Sequence, residues 1–241
     1  MNITHRTLPF HGRQVLITGA AGNLGHATAQ AFAAQGASLV LADLRRDALE
    51  ARFGSEAPAQ QFLCVDLLDR AALHAAVAAL LKRVPRIDVL CHLAGGFRMG
   101  EAVHETSQAT WDSLIDLNVR TLLNLASAVV PSMLAAGRGH IVTVGAQSAQ
   151  RGQAGMGAYT AAKSSVIRLS EAMSAELRHK NINVNCVLPS IIDTPQNRAA
   201  MPDADPAQWV AAADLAQVIV FLASDAARAV HGAALPVTGL S

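Results

Sequence analysis

Tyr159 is the only tyrosine in the chain, and Lys163 follows four residues later. On a helix that spacing puts both side chains on one face. A free phenol titrates near pH ~10, and a neighbouring ammonium lowers that value. The pair therefore reads as a proton donor held near its working pH. It lies in Gly155-Met156-Gly157-Ala158-Tyr159-Thr160-Ala161-Ala162-Lys163, which runs into the amphipathic stretch Ser164–Leu169. The spacing alone equally fits an aromatic anchor beside a solvated lysine. A second motif, far upstream, turns the reading toward chemistry.

That motif is Thr18-Gly19-Ala20-Ala21-Gly22-Asn23-Leu24-Gly25, placed between an apolar strand and a helix. Glycines let backbone amides approach a pyrophosphate, and the helix N-terminus adds positive potential. Asp43 ends the second strand, eighteen residues after Gly25. A carboxylate there accepts hydrogen bonds from adenosine ribose hydroxyls and repels a 2′-phosphate, which favours NAD(H) over NADP(H). Arg45 and Arg46 compete with that reading, either as partners for a phosphate or as solvated arginines opening a helix. Asp66 and Leu67 follow the third strand, where they are placed to touch adenine; Asp66 also fits a helix N-cap.

These residues need a scaffold, and the hydrophobic pattern supplies one. Strands are expected at Gln14–Thr18, Ser38–Ala42, Phe62–Val65, Ile87–Leu93, His140–Val144, Ile182–Leu188 and Ala233–Val237. Helices are expected at Gly25–Gln35, Arg45–Phe53, Arg70–Leu81, Trp111–Ala136, Ala158–Arg178 and Asp214–Ser224. Apolar runs alternating with helices predict an α/β fold with a parallel sheet covered on both faces. The span Pro189 to Ala207 has no clear periodicity and is the place for a substrate lid.

A chain of 241 residues suits one domain, here with a cofactor half over residues 13–145, a catalytic half over 146–241 and a lid over 189–210. Hydrophobic residues make up 51% and charged ones 15%, too apolar for disorder and suggestive of surface buried in an oligomer. A net charge of +1 without basic runs argues against a nucleic-acid partner. Cys64, Cys91 and Cys186 sit in apolar runs without metal-ligand spacing, so no metal site is expected and buried thiols in a reducing cytoplasm are. No apolar stretch is expected to reach membrane-spanning length, and Met1 to Arg13 lacks a secretory core segment.

Together the glycine-rich turn, Asp43, Asp66, Ala94-Gly95, Leu117-Asn118-Val119, the Tyr159/Lys163 pair and Pro189 through Thr194 resemble the short-chain dehydrogenase/reductase (SDR) family. The resemblance runs from Thr18 to about Gly239. It implies a Rossmann-type doubly wound sheet of seven parallel strands, a nicotinamide cofactor, hydride transfer, and a homodimer or homotetramer. Carried over residue by residue, it implies Tyr159, Lys163 and Asn118 as the catalytic set, with Asn118 binding a water that links Lys163 to solvent. It implies cofactor contacts at Gly19, Gly22, Asn23, Leu24, Asp43, Asp66, Leu67, Ala94, Gly95, Pro189, Ile192 and Thr194, together with Tyr159 and Lys163.

Departures from the family pattern are informative. The family serine thirteen residues before the tyrosine is Ala146 here, and Asn23 stands at a usual glycine position. Ala94-Gly95-Gly96-Phe97, the loop Gly145-Ala146 to Gly155-Met156, and the run from Leu188-Pro189 through Asp193-Thr194-Pro195, Met201-Pro202 and Trp209 resemble the quinonoid dihydropteridine reductases. Asn118 does not fit that branch. A conjugated dihydropterin spreads its charge and needs a fixed oxyanion donor less than a ketone does, so Tyr159 and Lys163 suffice. The alternative is an alcohol or ketone oxidoreductase in which Ser148 replaces the serine, since a two-residue shift along a strand end keeps the same face. Phe97 and Trp209 are candidate walls for a flat substrate, or ordinary packing. His92 reads as a hydrogen-bonded core histidine, and His26 as the start of a helix. The expected activity is NAD(H)-dependent hydride transfer to or from a small organic substrate. A non-catalytic NAD sensor would need neither Tyr159 nor Lys163.

Overall fold

Seven parallel strands form one sheet in the order β3-β2-β1-β4-β5-β6-β9 in a computed structural model that describes residues 8–241. The strands are β1 Gln14–Thr18, β2 Ser38–Asp43, β3 Gln60–Cys64, β4 Val89–His92, β5 Gly139–Val144, β6 Ile182–Pro189 and β9 Ala234–Val237. The helices are α1 Asn23–Ala34, α2 Arg46–Phe53, α3 Arg70–Leu80, α4 Gln108–Ile115, α5 Thr121–Ala136, α6 Gly157–Leu177, α7 Pro195–Ala200 and α8 Ala212–Leu222. Two short strands, β7 Ile192–Asp193 and β8 Val210–Ala211, pair beside the main sheet. Residues 1–7 of the N-terminal stretch lie outside the described residues.

The period of two along each strand divides the core. Val15, Ile17, Leu39 and Leu41 pack with Phe32, Leu215 and Ile219 on one face. Leu16, Val40 and Leu90 pack with Leu73, Val77, Leu125 and Val129 on the other. Each strand is thus apolar on both sides, as a parallel sheet under two helical layers requires. Strand order reverses between β1 and β4, which opens a crevice beyond their C-terminal ends. The glycine-rich turn and the loop after β4 both lead into that crevice.

Several expectations need correction. The span after Pro189 is ordered by β7, α7 and a 3₁₀ turn at Pro206–Gln208; its elements are too short to show periodicity in sequence. The helix at 111–136 begins at Gln108 and contains a π-turn over Asp116–Arg120. Residues 108–136 form 29 residues of helix with a mean hydropathy of 1.4 over their most apolar window, long and apolar enough to cross a membrane by length and composition. This overturns the expectation that no stretch reaches that length. The Arg120–Asp116 ion pair interrupts the apolar run in sequence, and the helix packs against α3 and α6. Cys64 is exposed at the end of edge strand β3, whereas Cys91 and Cys186 are buried. Asp66 does not cap α3; Asp69 does, accepting the Ala72 N–H at 3.0 Å, while Asp66 accepts the Leu68 N–H at 2.8 Å.

Candidate active site and cofactor crevice

The glycine-rich turn closes tightly at its two ends. Gly19 has a φ of +63°, and a β-carbon on it would lie 3.0 Å from Ala94 backbone atoms. At Gly25 a β-carbon would lie 2.2 Å from the Gly19 carbonyl oxygen, so no larger residue fits. Gly22 is the N-cap of α1 and offers no side chain to its first turn. The free N–H groups of that turn therefore suit an anion. Asn23 and Leu24 open the helix, with Leu24 packed partly against the core. Asp43 accepts the Ala21 N–H at 3.1 Å, which fixes its carboxylate beside the turn. Arg52, which no sequence motif singles out, donates to the Ala21 carbonyl at 3.2 Å and to Asn23 Oδ1 at 2.9 Å. Arg45 is ion-paired with Asp47, and Arg46 with Glu50 at 2.8 Å and Glu56 at 2.9 Å. These residues fit a dinucleotide: a close-approach turn, an uncapped helix start and a carboxylate after β2.

The other wall of the crevice is the loop after β4. Thr18 Oγ1 accepts the N–H groups of Leu93 and Ala94, each at 3.2 Å, and meets His92 Nδ1 at 3.0 Å. His92 is buried, and burial together with the Lys163 charge pushes its pKa down to about 3. It is a neutral core histidine, as expected from sequence. Thr18 was not singled out, although a buried threonine ending a strand before a glycine turn is the signal to look for. Asp66 is exposed, and the Leu67 carbonyl accepts from Asn124 Nδ2 at 2.9 Å. Pro189 is buried at the end of β6, Ile192 packs against the core, and Thr194 caps α7 by accepting the Asn197 N–H at 3.1 Å.

Lys163 and Asn118 meet at this loop. Asn118 is buried in the π-turn, where its Nδ2 donates to the carbonyls of Gly96 at 3.1 Å and Leu114 at 2.9 Å, and its Oδ1 accepts the Gly96 N–H at 3.2 Å. The π-turn opens the helical ladder and lets an asparagine sit where a regular helix disfavours it. The buried Lys163 donates from Nζ to the Val144 carbonyl at 2.9 Å, and burial lowers its pKa to about 8. Tyr159 does not titrate as the sequence suggested. Burial pushes its phenol up to about 12, because desolvation disfavours the charged phenolate.

Phe97 packs edge-on against Tyr159, with ring centroids 4.8 Å apart at 85°. It is 59% exposed, free to face a substrate. A narrow, open cleft lies beside Tyr159, lined by Arg98, Met99, Thr110, Leu114 and Met156 among others. Trp209 is buried and does not line that cleft, so packing accounts for it better than substrate stacking does. Ala146 is buried in a cluster with Leu122, Ile167 and Leu188 against which Tyr159 packs. Strand β5 ends at Val144, and Ser148 lies in a 3₁₀ turn over Gln147–Gln150. The period-two argument for Ser148 therefore fails, because a 3₁₀ turn repeats every three residues.

Comparison with known proteins agrees with this architecture. The family model described as enoyl-(acyl carrier protein) reductase matches residues 19–239. D-threitol dehydrogenase of Mycolicibacterium smegmatis is 32% identical over 240 residues, covering 95% of this chain and 92% of that one. Carveol dehydrogenase of Mycobacterium avium, solved with NAD, superposes with a TM-score of 0.87 at 28% identity, covering 97% of this chain and 98% of that chain. Gluconate 5-dehydrogenase of Burkholderia cenocepacia, solved with NADP and tartrate, gives 0.88 at 28% identity, covering 97% and 96%. With this fold, this crevice and these relatives, the chain belongs to the SDR family and is an NAD(P)-dependent oxidoreductase.

Proposed function

We propose that the enzyme uses NAD(H) and acts on a small, flat, conjugated substrate in the manner of a dihydropteridine reductase. The observation that carries this reading is the apolar wall beside Tyr159. Ala146 stands at the family's serine position, buried among aliphatic side chains, and Phe97 presents an exposed ring. A carbonyl that becomes a localised oxyanion needs a donor there. A substrate that spreads its charge does not.

The dinucleotide supplies the hydride chemistry when bound. Gly19, Gly22, Asn23 and Leu24 would hold its pyrophosphate, Asp43 its adenosine ribose, and Asp66 and Leu67 would flank its adenine. Ala94, Gly95, Pro189, Ile192 and Thr194 would line its nicotinamide side. Tyr159 delivers or takes the proton at its phenolic oxygen. Lys163 supports it electrostatically and holds the nicotinamide ribose, and Asn118 fixes the loop that carries Gly95. Asp43 supports NAD(H) over NADP(H), and Arg45 and Arg46 are engaged by Asp47, Glu50 and Glu56. NADH oxidation measured against quinonoid dihydropterin and a panel of ketones, quinones and imines tests the assignment. Turnover confined to simple ketones would sink it.

A second reading, a sugar-alcohol or ketone oxidoreductase, is favoured by the similarity to D-threitol dehydrogenase. In either case we propose a cytoplasmic homodimer or homotetramer. Trp111, Leu117, Leu123 and Leu134 are large apolar side chains left exposed along the α4–α5 helix. A monomer in sedimentation at micromolar concentration would contradict this.

A further inference from the structure

Asn23 joins three segments that are far apart in sequence. Its Nδ2 donates to Gln196 Oε1 of α7 at 2.9 Å. Its Oδ1 accepts from Arg52 Nη2 of α2, also at 2.9 Å. Arg52 is anchored in turn by its Nε bond to the Ala21 carbonyl. A guanidinium can only donate, so it selects the oxygen of the Asn23 carboxamide. That choice leaves the amide nitrogen facing Gln196. Arg52 thus sets the polarity of the Asn23–Gln196 contact.

The lid segment that carries Gln196 holds together internally. Asn197 Nδ2 donates to the Ile192 carbonyl at 2.8 Å, and Arg198 pairs with Asp193 through two bonds of 2.7 and 2.8 Å. Helix α7 is therefore tied to β7 as one piece of structure. Among the described residues, the Asn23–Gln196 bond is the one hydrogen bond joining this piece to the glycine-rich turn.

From this geometry we propose that Asn23 and Gln196 form a latch between the lid and the cofactor turn, and that opening it governs how fast the dinucleotide leaves. The proposal rests on the reading of the turn as the pyrophosphate site. On that reading a dinucleotide would lie over the start of α1, between the turn and the lid segment that carries Gln196. For it to depart, the lid must part from the turn, and that motion breaks this bond. Both residues are positioning residues: they act on the lid, and neither touches the reacting atoms through the latch.

The test uses the full chain and NADH, or NADPH should only that cofactor bind. Release is followed by fluorescence after displacement with excess oxidised cofactor. Gln196→Ala, Asn23→Ala and the double variant are compared with the parent. One solvent-exposed hydrogen bond sets the scale, so Gln196→Ala should release the cofactor about threefold to tenfold faster; Asn23→Ala, which also removes the partner of Arg52 and a side chain of the pyrophosphate turn, should release it at least as fast. Association should change less than release. The double variant should be no faster than the faster single variant, because both changes break the same bond. Melting of the cofactor-free proteins should shift by no more than a few degrees, the scale of one exposed hydrogen bond, so every variant is fully folded where release is measured; a merely structural role would leave release unchanged. Unchanged release in Gln196→Ala, or effects that multiply in the double variant, would overturn the latch alone. Failure of the parent to bind either dinucleotide would overturn the cofactor site and the latch together.

Discussion

Asn118 and Lys163 converge on Gly95: a β-carbon there would lie 2.7 Å from Asn118 Oδ1 and 3.2 Å from Lys163 Nζ. Neither side chain can give way cheaply. Asn118 is held by three hydrogen bonds to backbone, and Lys163 is buried with its ammonium bonded to Val144. The glycine after β4 is thus required by the two polar side chains behind it, which ties the loop, the π-turn and α6 into one unit.

Gly95→Ala should therefore disturb catalysis without unfolding the sheet. Displacing a positioned group by even an ångström costs up to about 10²-fold in rate. The expected outcome is a loss of turnover of at least about tenfold, with far-ultraviolet circular dichroism unchanged. A variant with normal kcat would show that Asn118 and Lys163 do not need their present spacing.

Tyr159→Phe should remove most turnover, by about 10²-fold or more, while NADH binding stays near normal. The ring remains, so its edge-on contact with Phe97 remains; only the proton donor goes. Near-normal turnover would place the donor elsewhere.

The strands, the helices and the cofactor turn were legible because they follow from strong local patterns: apolar runs bounded by turns and alternating with helices specify a parallel sheet, while its Rossmann-type arrangement came with the family resemblance. What escaped the sequence were facts of tertiary contact. Arg52 reaches Ala21 across 31 positions, and Gln196 reaches Asn23 across 173. No local pattern records such pairs. The phenol of Tyr159 misled for a related reason: a lysine one turn away is visible in sequence, but the burial that raises the phenol is not. The argument for Ser148 carried strand periodicity four residues past Val144, the end of β5, into a 3₁₀ turn that local pattern does not announce.

Lys163 gives a pH signature. Its pKa falls from the usual ~10.4 in the unfolded chain to about 8 in the folded one. Between those values the unfolded chain binds more protons, so this group makes stability rise with pH across the window from about 8 to ~10. Tyr159, raised to about 12, works in the opposite direction only above pH ~10. Thermal melting of the cofactor-free protein should show the rise, and Lys163→Met should flatten it. Parallel slopes for parent and variant would mean that Lys163 is not desolvated.

Asp43→Ala should narrow the gap between NADH and NADPH. The variant loses the carboxylate that favours the ribose hydroxyls and repels a 2′-phosphate, and it loses the acceptor of the Ala21 N–H. NADH affinity should fall while NADPH affinity holds or improves, as read by fluorescence titration. Equal affinity of the parent for both cofactors would overturn the preference.

The sharpest prediction concerns Ala146. Its methyl group is buried beside Leu122, Ile167 and Leu188, in the cluster against which Tyr159 packs. If the substrate spreads its charge over a conjugated ring, Ala146→Ser should not raise turnover. The new hydroxyl would have to find a partner in an apolar wall, at a desolvation cost of ~1–3 kcal/mol. If the substrate is a simple ketone, the same change supplies a missing donor worth ~3 kcal/mol, about 10²-fold in rate. Ser148→Ala tests the complement. The 3₁₀ turn breaks the register that would have put Ser148 on the face of Ala146, so its removal should be nearly silent. A large loss in Ser148→Ala, in a parent without dihydropterin activity, would transfer the oxyanion role to that residue. Unchanged rates in both variants, with dihydropterin turnover in the parent, would leave the conjugated-substrate reading standing on its own test.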